Sequence, residues 1–224
     1  MIVHVSRAAL TLALTGVLAS PAQGQATPDR PERDAGPAAA ESEARGARVA
    51  KALGGGAAGL AIHEAGHLLA GTLVGADFDL RKVDFHGIPF IAVSHAPGLA
   101  PREEYAVSSA GLWMQYASSE WILTAHPTLR SEPRPFEKGV LAFHVGLSVM
   151  YGVAGLARIG PPERDTRGMA ASLGVSERWI GLAVAVPGVL DAYRYAHPDA
   201  RWAGWASRGL KVALVGMTVL GGGR

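Results

Sequence analysis

Two histidines and a glutamate, set in a stretch otherwise free of ionisable side chains, constrain this chain more than any other feature. Residues 53–76 read LGGGAAGLAIHEAGHLLAGTLVGA, and His63, Glu64 and His67 are the only ionisable groups among them. As a helix the segment would be about 36 Å long, enough to cross a bilayer with some tilt. A carboxylate at such depth costs about 2.5 to 3.5 kcal/mol even on the lenient insertion scale, so the default expectation for Glu64 is a functional one. Gly55, Gly59, His63, His67, Gly71 and Gly75 recur at intervals of four. That places small residues above and below the histidines and lets a second backbone approach closely.

Histidines at positions i and i+4 lie on one helix face, one turn apart, so both imidazoles reach a single metal ion. Glu64, beside the first histidine, is placed to take a proton from a water on that ion. This is the HExxH pattern of zinc hydrolysis, with Glu64 as general base and His63 and His67 as ligands. The chain has no cysteine, so the remaining ligand must be His, Asp or Glu. Leu73 stands six residues beyond His67, where the extended metzincin motif requires a histidine. A soluble enzyme with a glutamate ligand would draw on Glu103 or Glu104, yet it would have no need of so apolar a metal helix.

The rest of the chain is compatible with a membrane setting. Hydrophobic residues make up 49% and charged ones only 18%, and glycines recur inside apolar stretches, as membrane helices tolerate. The 21 basic and 19 acidic side chains are scattered without a dense basic cluster, which argues against a nucleic-acid partner. Residues 1–26 have the form of a secretory signal peptide, with Arg7 before an apolar run at 8–19 and small residues after it. Residues 27–48, rich in Pro, Ala, Glu and Arg, are expected to be a disordered linker, leaving residues 49–224 as the membrane-embedded domain. Within it, residues 77–96 predict a β-hairpin around His86-Gly87. A helix opens at Pro101 and runs to about Ala125, interrupted by Ser108, Ser109, Gln115, Ser118, Ser119 and Glu120. Residues 139–157 form a spanning candidate with His144 as its sole ionisable group. A polar break at 159–168 follows, then a helix from Ser176-Glu177 containing Pro187 and a last helix over 202–220. Basic residues are shared almost evenly among the loops, so the positive-inside rule assigns no orientation. The expected fold class is all-α: a multi-helix integral membrane bundle with a short β-hairpin after the metal helix, exported to the bacterial inner membrane.

AIHEAGHLLAG at 61–71, the hairpin at 77–96 and Ser109-Ala110-Gly111 together resemble the site-2 protease family of intramembrane zinc metalloproteases, over about residues 50–170. The resemblance implies a Zn2+ cofactor, a membrane-associated protein or peptide as substrate, and a lipid bilayer as surroundings. It also implies a third ligand from an aspartate that follows an apolar helix and a proline-containing turn. Asp165, behind residues 139–157 and Gly160-Pro161-Pro162, matches that position. Asp191 is the rival, because Leu190-Asp191 keeps the family's Leu-Asp pair; its competing assignment is an ion pair with Arg194 on the next turn. If Asp165 is the ligand, the polar turn at 160–168 must fold back into the protein. Leu112 follows Gly111 where the family has proline, and Arg164-Asp165-Thr166 stands for its Leu-Asp-Gly. These departures motivate an alternative expectation, a catalytically silent membrane scaffold with the same fold.

Overall fold

The computed structural model describes residues 37–85 and 88–220. The expected signal peptide, residues 1–26, lies outside the described residues. The elements run α1 (Pro37–Val74), β1 (Phe78–Phe85), β2 (Ile88–His95), α2 (Pro101–Ala125), α3 (Pro135–Ala157), α4 (Asp165–Leu173), α5 (Glu177–Ala196) and α6 (Arg201–Leu220). The chain is thus a helical bundle with one two-stranded hairpin among the described residues. Of the helices described, α3 is long and apolar enough to cross a membrane. The histidines, Glu64 and many glycines make residues 53–76 less apolar than α3.

Helix α1 reaches back to Pro37, so residues 37–48 of the expected linker are helical. Residues 41–50 are exposed throughout. Alanine, glutamate and arginine favour a helix without tertiary support, and the lack of large apolar groups that suggested disorder is also why this part packs on nothing. The other end of α1 stops where the sequence allows it: Gly75 takes a left-handed φ of +73°, and Ala76 N donates to Gly71 O at 2.8 Å.

The expected hairpin is present and antiparallel, pairing Phe78 with His95 and Phe85 with Ile88. Its base is closed by Ala96 N donating to Asp77 O at 3.0 Å. Pro101 at the first position of α2 gives up no hydrogen bond, and Glu103 accepts the Ala100 N–H at 3.0 Å.

Helix α1 packs on α2 and α3, α3 packs on α5, and α4 bridges α2 and α5. Small residues set these distances. A Cβ on Gly66 would come 2.7 Å from the Ala110 carbonyl carbon, and one on Gly181 would come 2.8 Å from Gly152 O. The main core combines Tyr105, Leu112 and Tyr116 of α2 with Met169 of α4, Ile180 and Val184 of α5 and Leu214 of α6. A second cluster, Ile122, Leu123, Leu129, Val140 and Leu141, closes the α2–α3 end. The α1–α2 crossing at Gly66 and Ala110 is what brings His63 and His67 against a second helix.

Candidate metal centre

His63 and His67 both face inward from α1 and are 1% and 8% exposed. Asp165, the first residue of α4, meets them: its Oδ2 lies 3.2 Å from His63 Nε2 and 3.4 Å from His67 Nε2, and the two Nε2 atoms are 3.2 Å apart. This buried group of three could hold a metal ion.

The chemistry of the donor set fits one. His67 Nδ1 sits 2.8 Å from Val107 O, which can only accept, so Nδ1 carries the proton and Nε2 presents its lone pair to the centre. Asp165 Oδ2 and His63 Nδ1 are buried without a hydrogen-bond partner. Buried polar atoms left this way are costly, and a lone-pair triangle is repulsive unless a cation lies within reach of all three. Donors about 2.0 to 2.1 Å from one tetrahedral ion stand about 3.3 to 3.4 Å apart, close to the edges seen here.

Asp165 arrives at this depth because the turn before it is pinned. Arg158 ends α3 in a left-handed conformation and Gly160 has φ +109°. Arg164 then grips Glu177 through two hydrogen bonds of 2.6 Å each and donates to Pro161 O at 2.9 Å. Thr166 Oγ1 adds a 2.8 Å bond to Glu177. The polar run at 160–168 therefore folds back into the protein, as an aspartate ligand requires, and its last part is the first turn of α4 rather than irregular chain.

Asp191 is elsewhere. It is 2% exposed and belongs to a buried charge cluster: Lys211 Nζ lies 2.7 Å from Oδ2, Ser207 Oγ donates to Oδ1 at 2.7 Å, and Arg194 approaches at 3.3 Å. Glu120 completes the cluster by accepting from Arg194 at 2.7 Å and Arg208 at 2.6 Å.

Glu64 is half-buried beside His63, within electrostatic reach of His67, His63 and Asp165. Gly111 of α2 covers the imidazoles so closely that a Cβ there would stand 2.6 Å from His63 Cε1. A cavity of about 190 Å³ opens beside the site, lined by His67, Phe78, His95, Glu104, Ser108 and Asp165 among others. It is large enough for several waters. His95, at the base of the hairpin, pairs with Glu104 across the cavity at 3.4 Å. Hydrogen bonding to Glu104 raises the His95 pKa, and the same bond lowers that of Glu104. Sequence reasoning assigned His95 no role, since a histidine at a strand end carries no local signal of a partner on α2. His144 is buried in a hydrogen-bonded cluster with Ser119, and its Nε2 lies 3.3 Å from Gly59 O.

Comparison with protein-family models, curated proteins and solved structures found no match.

Proposed function

We propose that this chain is a membrane-embedded zinc metallopeptidase of site-2 protease type, hydrolysing peptide bonds of a membrane-associated protein. The observation that carries the reading is the convergence of His63 Nε2, His67 Nε2 and Asp165 Oδ2 beside Glu64. A zinc ion held by these three residues supplies a Lewis acid for the scissile carbonyl and lowers the pKa of water towards neutrality. Glu64 holds the proton taken from the attacking water at its carboxylate and delivers it to the departing amine. Val107 O fixes the His67 tautomer, and the Arg164–Glu177 grip holds Asp165 in place. The cavity at His67 and Asp165 admits water from the hairpin side.

A bilayer setting is supported by the outer surface of the bundle. Leu60, Leu69 and Leu73 of α1, Met150 and Val153 of α3, and Val212 of α6 are all exposed large apolar residues. A soluble monomer rarely leaves so much apolar surface in water. Trp121, Trp202 and Trp205 are 66%, 60% and 70% exposed. Ion pairing of Arg208 of α6 to Glu120 puts all three at one end of the bundle, where an interfacial aromatic girdle belongs.

The test uses detergent-purified protein and a membrane-anchored peptide reporter. Wild type should contain about one zinc per chain and cleave the reporter. Glu64→Gln should keep the zinc and lose cleavage by about 10²-fold or more. Zinc-free wild type, or cleavage by Glu64→Gln at the wild-type rate, would overturn the proposal.

A further inference from the structure

A second set of buried polar groups lies one turn below the metal centre. Gln115 of α2 donates through Nε2 to His144 O at 2.7 Å and to Ser148 Oγ at 2.5 Å. A backbone carbonyl can only accept, so the amide orientation is settled and Oε1 is the free acceptor. Gln115 is 1% exposed, and this Oε1 has no hydrogen-bond partner. His63 Nδ1 is its complement. With Nε2 turned to a metal, the Nδ1 of a neutral ring carries the proton, a donor for which the described residues provide no acceptor.

The two residues lie where α1, α2 and α3 pack on one another. Gly111, one turn before Gln115 on α2, lies against the Cε1–Nε2 edge of the His63 ring. Ser148, which Gln115 holds, is one turn before Tyr151 on α3, and the Tyr151 ring is 6.0 Å from that of His63. His144, the other partner of Gln115, reaches Gly59 O, one turn before His63 on α1. Three helices thus bring Gln115 and the His63 ring to neighbouring turns of one interface.

We propose that Gln115 is the positioning partner of His63, its Oε1 receiving the Nδ1 proton through one bridging buried water. Buried waters occupy this kind of place, between polar groups that protein atoms leave unsatisfied. The arrangement gives His63 what Val107 O gives His67: a fixed tautomer, a fixed ring orientation and a more basic Nε2. It rests on the metal-centre reading above.

The experiment measures zinc affinity by chelator competition, together with the visible spectrum of cobalt-loaded protein. Gln115→Met fills the same space without an acceptor and should weaken zinc by about 10- to 100-fold, with a shifted cobalt spectrum. Gln115→Glu keeps an acceptor at the same place, and in its neutral form also a donor for His144 O, so it should restore both affinity and spectrum. Should the Met variant not fold, Gln115→Asn, polar but one methylene shorter, should show the same loss. A folded Met or Asn variant with wild-type affinity and spectrum would overturn this inference and leave the metal centre standing. Wild-type protein that binds no zinc would overturn both.

Discussion

Asp165 Oδ2 lies 3.2 Å from His63 Nε2, although the hairpin, α2 and α3 separate the two residues along the chain. The contact exists because α3 returns the chain to the hairpin end of α1 and the Arg164–Glu177 pair then turns it inward. Asp165→Ala should therefore lose the metal, as should His67→Ala. Asp191→Asn should keep it and lose stability instead, because Lys211 and Arg194 are then left with less compensation. Breaking a buried pair costs about 3 to 5 kcal/mol, and Glu120, 3.3 Å from Lys211, puts the expected loss at the lower end. Metal analysis and thermal unfolding of the three variants check this.

Gly111 tests how tightly α2 seats on the imidazoles. A Cβ there would stand 2.6 Å from His63 Cε1 and 2.7 Å from His63 Nε2, and nearer still to His67 Nε2. Gly111→Ala must move at least one ring, at about 1 to 3 kcal/mol in stability. Metal affinity should fall by about tenfold or more, since ring orientation is what the ligands require. Equal zinc affinity in wild type and Gly111→Ala would show that the rings are not held by this contact.

The His95–Glu104 pair ties the base of the hairpin to α2 beside the cavity, and its contribution depends on pH. His95 is raised above its ordinary 6.5 by its bond to Glu104, and Glu104 is lowered below its ordinary 4.5 by the same bond. The contribution is complete between about pH 4.5 and 6.5 and fades as pH rises through the raised His95 value. It also fades as pH falls through the lowered Glu104 value. An NMR titration of the His95 ring should give a midpoint above 6.5 in wild type and one closer to 6.5 in Glu104→Gln. Identical midpoints would dissolve the pair.

Membrane integration is checked by extraction. The exposed leucines of α1 and the apolar outer face of α3 should keep the protein in the pellet through high salt and alkaline washing, with release by detergent. Recovery as a soluble monomer from those washes would remove the bilayer from the proposal.

Features carried by local spacing were legible before any coordinates. The shared face of His63 and His67 follows from the helical period, the end of α1 near Ala76 from the change of pattern there, the hairpin from the β-prone residues at 77–96, and the start of α2 from Pro101. Asp165 was singled out only through a family resemblance, because an aspartate in a polar turn looks the same whether it is solvated or buried. The partners that hold the site were not legible at all. Arg164 with Glu177, Gln115 with His144 and Ser148, and His95 with Glu104 each join different elements, and nothing in the neighbourhood of either residue specifies the other.

The sequence by itself determined that two imidazoles and a carboxylate share one helix in an apolar stretch, since side-chain direction along a helix depends only on spacing. Which aspartate completes the group was decided by the tertiary structure. Both Asp165 and Asp191 are buried, and each needed compensating partners to be so. Close packing of small residues between α1 and α2 and between α3 and α5 put Asp165 against the imidazoles and Asp191 against Lys211, and burial of a charge is tolerated only where packing brings its partner.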